Sequence, residues 1–200
     1  MTYPNAAAGL KTVYQSQIVG LIASVLLFIP LINILAVAAL LVVFVLYMVG
    51  LNQCAKQDDG YRTAFTLVII NLVVNLLGNF IPGAISTILS LVGDVLTLAT
   101  LYFVCITTNR LLENLLAPQS TIDRGVVVWK INVICTIVAV VCTLLSMIPV
   151  VSLQLLASIM MLIATIAQLV GCILYMLFLR DAYRIMESVI PPEEQVQQMM

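Results

Sequence analysis

Asp94 lies near the middle of the apolar stretch ISTILSLVGDVLTLATLYF, residues 85 to 103, in a chain with few charged residues. An ionised carboxylate at the centre of a bilayer costs about 2.5 kcal/mol or more. It must therefore be protonated, hydrogen-bonded to donors or reached by water. Such carboxylates either carry protons or cations across the membrane or fix the register of neighbouring helices.

Polar residues recur at helical spacing around Asp94. This polar seam consists of Asn71, Asn75 and Asn79 before Pro82, and of Ser86, Ser90, Asp94 and Thr97 after it. Residues four apart share one face of a helix, so each half of the seam predicts one polar face. If the chain turns at Pro82, Asn79 lies opposite Ser86, Asn75 opposite Ser90 and Asn71 opposite Asp94. The seam is either interhelical glue or an ion or proton pathway.

A second polar stripe flanks Pro149. It consists of Asn132, Cys135, Cys142 and Ser146 on one side, and of Gln154, Ser158, Thr165 and Gln168 on the other. A turn at this proline predicts that Asn132 lies opposite Gln168. Amides and hydroxyls between membrane helices commonly form hydrogen bonds worth about 0.6 to 2 kcal/mol, which is the structural explanation of the stripe. Residues 12–54 show almost no such pattern, and the comparable pair there is Tyr14 with Tyr47.

Three Ile-Pro steps divide the apolar sequence into helices. A helix over residues 18–51 would be about 51 Å long, whereas the hydrocarbon core of a bilayer is about 30 Å thick. The chain must therefore fold back at Pro30, and the same step recurs at Pro82 and Pro149. The predicted membrane spans are 12–29, 31–54, 63–80, 84–108, 128–148 and 151–179.

The three proline turns belong to a weak internal repeat. Each is preceded by a basic residue one helix length upstream, namely Lys11, Arg62 or Lys130. The second helices end in the related stretches LYMVGLNQCAK, LYFVCITTNRL and LYMLFLRDAYR. The predicted fold is an all-α integral membrane protein whose six transmembrane helices form three weakly repeated helical hairpins.

The distribution of charge predicts the orientation of these hairpins. All eight Lys and Arg lie outside the proline turns. By the positive-inside rule both termini are cytoplasmic, as in a bacterial inner membrane. The predicted organisation is a cytoplasmic N-terminus (1–11), hairpin 1 (12–54), a cytoplasmic loop (55–62), hairpin 2 (63–114), a second loop (115–127), hairpin 3 with a cytoplasmic extension (128–190) and a polar tail (191–200).

Composition excludes several functional classes. The chain is 63% hydrophobic and 8% charged, against about 25% charged residues in soluble domains. It contains no histidine, its five cysteines form no CxxC pair, and its net charge is −1. These features argue against a metal site, a cofactor, an enzymatic mechanism and a nucleic-acid partner.

Two functions fit the remaining features. The first is a subunit or scaffold that packs against another membrane protein, or against copies of itself, within the lipid bilayer. Apolar residues in the extensions of the fourth and sixth helices would meet that partner: Leu111, Leu112, Leu115, Ile185 and Met186. The alternative is a small proton- or cation-coupled transporter or channel that uses Asp94 and the polar seam. A subunit predicts a dry seam around Asp94, whereas a transporter predicts that water reaches it.

Overall fold

The computed structural model describes residues 2–26, 33–81, 83–146 and 151–189. Within these ranges the chain forms six helices and no strand. The helices are α1 (Pro4–Leu26), α2 (Asn33–Ala55), α3 (Asp59–Phe80), α4 (Ala84–Asn114), α5 (Gln119–Ser146) and α6 (Val151–Ser188). The predicted turns at Pro30, Pro82 and Pro149 and the polar tail lie outside the described residues.

Five of the described helices, α2 to α6, are long and apolar enough to cross a membrane. A chain in lipid must satisfy its backbone hydrogen bonds internally, which helices do along their whole length. This confirms the predicted all-α fold over the described ranges, with helices long and apolar enough for an integral membrane protein. The remaining helix, α1, is described to Leu26, and its predicted span extends to residue 29, beyond the described part.

Helix boundaries are set by local polar contacts at the connections. The Asp58 side chain caps α3, because its Oδ1 accepts a hydrogen bond of 2.8 Å from the Gly60 backbone N–H. After α4 the chain turns sharply at Leu116, which has φ 54. The connections between these helices, 56–58 and 115–118, are short. α3 begins at residue 59 rather than at the predicted 63, and α5 begins at residue 119 rather than at the predicted 128.

The six described helices pack in chain order around a closed ring. Each hairpin pair is in contact (α1 with α2, α3 with α4, α5 with α6), and so are α2 with α3, α4 with α5 and α6 with α1. A few contacts also join α4 to α6. Within α3 and α4, Gly60 lies against Thr107 and Gly78 against Leu89, so these helices are antiparallel.

Buried side chains concentrate at one end of this ring. We call it the loop end, because it holds the connections 56–58 and 115–118; the opposite end, which holds Phe80, is the turn end. The largest fully buried side chains all lie in the loop-end half: Leu10, Val13, Leu51, Cys54, Tyr61, Val104, Thr108, Leu112, Val128, Phe178, Leu179 and Met186. Near the turn end, Ile34 is 87% exposed and Phe80 81% exposed.

The apolar residues of the α4 and α6 extensions belong to this core. Leu111, Leu112 and Met186 are buried, and Leu115 and Ile185 pack against the same cluster. The expectation that these residues are offered to a partner is therefore wrong. They are covered because α4 and α6 pack at the loop end against the beginning of α1 and α5 within the same chain.

Ion pairs tie the helices together at the loop end. Lys11 of α1 and Glu187 of α6 are 2.8 Å apart, and this hydrogen bond raises the pKa of Lys11. Arg110 of α4 binds the carboxylate of the capping residue Asp58, with Nη2 to Oδ2 at 2.5 Å. Arg124 of α5 pairs with Asp181 of α6. All eight Lys and Arg lie towards this end.

In hairpin 1, α1 and α2 approach each other closely at Gly9 and Gly50. A Cβ on Gly50 would lie 2.8 Å from the Gly9 carbonyl oxygen and 2.9 Å from the Val13 backbone nitrogen. Both of these atoms belong to the backbone of α1, so they cannot move aside without moving the helix. The contact between α1 and α2 therefore depends on the absence of a side chain at Gly50.

We expect Gly50→Ala to lower the thermal unfolding midpoint in detergent, because overpacking costs about 1 to 3 kcal/mol. Gly78→Ala is the matched control. Its Cβ would lie 3.5 Å from the Leu89 Cβ, an ordinary contact, and alanine favours the helix by about 0.5 to 1 kcal/mol. Circular dichroism on heating measures both. An unchanged midpoint for Gly50→Ala would contradict the proposed close approach.

Candidate functional site

An open chamber with a volume of about 820 Å³ lies between the helices of the ring. Its walls come from α1, α4, α5 and α6, with Leu40 of α2. One helical turn below its deepest lining residues, Val13, Val104, Val128 and Tyr175 are buried. The core therefore closes the chamber at the loop end. Ser24, Met161 and Thr165 line it and are exposed, so the chamber opens away from the core.

Asp94 is the one charged side chain among the described residues that line the chamber. Its carboxylate makes no hydrogen bond or ion pair within the described part of the chain. The basic residues lie towards the loop end, and none lines the chamber. A carboxylate thus faces an open space with no positive charge of the protein beside it.

Asn71 and Asn75 dock on Gly93 rather than on Asp94. The Asn71 Nδ2 donates to the Thr97 Oγ1 at 3.0 Å, and the Asn75 Nδ2 donates to the Asn71 Oδ1 at 2.8 Å. A Cβ on Gly93 would lie 3.1 Å from the Asn71 Oδ1 and 3.2 Å from the Asn75 Nδ2. The two amides therefore occupy the space that Gly93 leaves between α3 and α4.

The predicted opposition of Asn71 and Asp94 is therefore wrong. Successive residues of an α-helix point about 100° apart, so Gly93 faces α3 while Asp94 faces the chamber. The Thr97 hydroxyl accepts from Asn71, donates to the Gly93 carbonyl oxygen at 2.9 Å, and also lines the chamber. Thr97 thus joins the asparagine pair to the chamber wall.

The other seam residues are not joined in this way. Ser90 is exposed and donates to the Thr87 carbonyl oxygen of its own helix at 2.9 Å. Asn79 is exposed and Ser86 is half-buried. Hydrogen bonds from Asn79 to Ser86 or from Asn75 to Ser90 do not occur among the described residues. The structure thus places Asp94 and Thr97 at the chamber, with Asn71 and Asn75 behind them.

In the second stripe, the predicted pairing of Asn132 with Gln168 is confirmed. The Gln168 Nε2 donates to the Asn132 Oδ1 at 2.7 Å, and the Asn132 Nδ2 donates to the Val128 carbonyl oxygen at 2.9 Å. Both amides line the chamber, as do Cys135 and Thr165. This part of the stripe therefore forms the α5 and α6 walls of the chamber.

The remaining members of the stripe lie outside the chamber lining. Cys142 is buried. Ser146 donates to the Thr143 carbonyl oxygen at 2.7 Å, and Ser158 donates to the Gln154 carbonyl oxygen at 2.8 Å. These two serines therefore satisfy their own helices rather than join α5 to α6.

Hairpin 1 contributes residues that the sequence pattern did not reveal. Gln17, Gly20, Leu21 and Ser24 line the chamber. Their spacing of three, four and seven residues places them on one face of α1. This spacing is the feature of the sequence from which the chamber face of α1 could have been predicted. Tyr14, which was expected to pair with Tyr47, has its ring centroid 5.6 Å from that of Tyr183 in α6.

The chamber offers oxygen and amide groups but no metal cluster. Across the residues the structure describes, no three Cys, Asp or Glu come together as a group that could hold a metal ion. The polar groups are instead distributed around the wall, with Asp94 on α4 and the Asn132–Gln168 pair on α5 and α6. Such a wall can bind a ligand through one charge and several neutral hydrogen bonds.

We expect the hydrogen bond between Asn132 and Gln168 to appear as a coupling energy. In a double-mutant cycle, Asn132→Ala and Gln168→Ala should couple by about 0.6 to 1.7 kcal/mol, the range for hydrogen bonds between membrane helices. Asn132→Ala with Ser158→Ala is the control pair and should be additive, because the Ser158 hydroxyl bonds its own helix. Unfolding in a detergent mixture measures each term; additivity of the first pair would exclude the bond.

Comparisons of the chain with protein-family models, with curated proteins and with solved structures find no match. Its function must therefore be argued from the geometry of the chamber and from the charge of Asp94.

Proposed function

We propose that this protein is a small membrane transporter that moves a proton or another cation through the chamber by way of Asp94. The observation that carries the proposal is a carboxylate that has no partner among the described residues and faces a space of about 820 Å³. Intramembrane carboxylates are costly unless they are neutralised. No described basic residue lines the chamber, so a bound cation or proton would provide the neutralising charge.

The polar wall of the chamber supports binding at this carboxylate. Thr165 of α6 brings a hydroxyl group, and Asn132 of α5 with Gln168 of α6 brings two amides. Hydroxyl and amide oxygens accept hydrogen bonds from an ammonium group or from water that surrounds a cation. Asp94 would hold the charge, while the neutral groups would position the ligand.

The closed loop end favours a carrier over an open channel. The core residues Val104, Val128 and Phe178 fill the ring below the chamber and leave it accessible from the turn-end half. A transporter with a central site exposes that site to one side of the membrane at a time. The structure fits the state in which the turn side is open, and transport would require the loop end to loosen.

The proposal includes six membrane spans as three weakly repeated hairpins, with both termini cytoplasmic in a bacterial inner membrane. The clustering of all eight basic residues towards the loop end supports this orientation, because cytoplasmic segments are rich in Lys and Arg. The pairwise packing of α1 with α2, α3 with α4 and α5 with α6 supports the hairpin repeat.

A subunit or scaffold is the other function that the sequence suggests, with another membrane protein or a second copy as its partner. That hypothesis expects a dry Asp94 between helices and free apolar residues on the α4 and α6 extensions. Asp94 instead lines the chamber, and Leu112 and Met186 are buried in the chain's own core. Both observations favour transport. We assign no enzymatic role, because the chain lacks histidine and, within the described ranges, no nucleophile is paired with a base.

We expect Asp94→Asn to reduce the flux driven by a cation gradient to the level of protein-free liposomes, because an amide carries no negative charge and does not bind or release a proton near neutral pH. The measurement uses liposomes that contain a pH-sensitive dye, with sodium, potassium or organic cation gradients imposed across them. Asp123→Asn, an exposed substitution on α5, is the matched control and should retain full flux.

Circular dichroism and gel filtration establish that both variants are folded before flux is compared. Equal flux through the unaltered protein and Asp94→Asn would contradict the proposed role of Asp94. Flux through the unaltered protein no faster than that of empty liposomes, for every cation tested, would contradict transport itself.

A further inference from the structure

The walls of the chamber around Asp94 are mostly apolar. Several large apolar side chains line it together with smaller ones; the large ones include Leu21, Leu98, Leu101, Met161 and Leu169. Its volume of about 820 Å³ lies within the range of about 300 to 1,000 Å³ that is typical of pockets for organic ligands. A bare metal ion would leave most of this space as water against apolar surface, which is unfavourable.

The surroundings of Asp94 do not form a site for a hard metal ion. Calcium and magnesium take six or more oxygen ligands in a compact shell. Here the nearest polar groups on α3 and α4 are already engaged with one another, since Asn71 donates to Thr97 and Thr97 donates to the Gly93 carbonyl. Asp94 supplies one negative charge, and no second carboxylate lines the described chamber. A monovalent cation matches that charge.

The α6 wall of the chamber presents exposed apolar side chains. Ile166 and Leu169 line the chamber and are 59% and 52% exposed, so much of their apolar surface is free to contact a ligand. α1 and α6 are joined near the loop end by Lys11 with Glu187 and by Tyr14 with Tyr183. Above these contacts, α6 contributes apolar side chains to the chamber lining.

We propose that the ligand of the chamber is a lipophilic monovalent cation, with its positive charge at Asp94 and its apolar body against α6 and the leucines of α4. This inference rests on the proposed function for Asp94 and adds the chemical class of the ligand. None of the described lining residues is aromatic, so the charge of the ligand depends on Asp94 rather than on cation–π contacts.

The test compares three probes on the purified full chain in detergent, with binding to protein-free micelles subtracted. Tetraphenylphosphonium has the proposed charge and apolar body, tetramethylammonium has the charge alone, and triphenylphosphine oxide has the apolar body without a net charge. We expect saturable binding of tetraphenylphosphonium by equilibrium dialysis, and affinities at least about tenfold weaker for the other two probes. Asp94→Asn should weaken tetraphenylphosphonium binding by about tenfold or more, whereas Asp123→Asn should not.

Each contrary result has a distinct meaning. Equal affinity for tetramethylammonium and tetraphenylphosphonium would overturn the lipophilic class, and so would tetraphenylphosphonium binding that Asp94→Asn leaves unchanged. Absence of tetraphenylphosphonium binding, in protein that shows Asp94-dependent flux of sodium or protons, would overturn this inference and leave the proposed function standing. Asp94-dependent binding without flux of any cation would support the ligand class and contradict transport.

Discussion

Helices in a membrane cannot be held together by the hydrophobic effect, because the surrounding lipid is as apolar as their own side chains. They associate through close contact and through interhelical hydrogen bonds. In this protein such contacts concentrate at the loop end, where Gly9 meets Gly50 and where Asp58 binds Arg110. The extended ends of α4 and α6 contribute Leu112 and Met186 to the same core. The core at this end contains residues from all six helices.

The chamber exists because the tightly packed core is confined to the loop-end half of the bundle. Above the core the helices border an open space of about 820 Å³, and α4 turns Asp94 towards it. The asparagines do not neutralise that carboxylate, because Gly93 gives them a separate place between α3 and α4. The same local arrangement therefore stabilises hairpin 2 and leaves Asp94 without a partner among the described residues. A group that is costly in lipid is thus exposed to a space that a cation can enter.

Sequence periodicity predicts the faces of helices better than it predicts how those faces are oriented relative to one another. The pairing of Asn132 with Gln168 could be predicted because the two amides lie at similar distances along the chain on either side of Pro149. The opposition of Asn71 and Asp94 failed because a polar pattern takes no account of Gly93, whose missing side chain sets the contact. The chamber face of α1 at Gln17 was not recognised, since its contacts are with helices distant in sequence, which local spacing does not encode.

The central claim is that water and solutes reach Asp94 from the turn side, and cysteine labelling tests it most directly. Thr165 lines the chamber, and its hydroxyl bonds only its own helix, to the Met161 carbonyl oxygen at 2.8 Å. In a protein whose five native cysteines are replaced, Thr165→Cys should react rapidly with a membrane-impermeant thiol reagent applied from the turn side, because a hydrated thiol ionises readily. Absence of labelling from either side, in folded protein, would contradict the account.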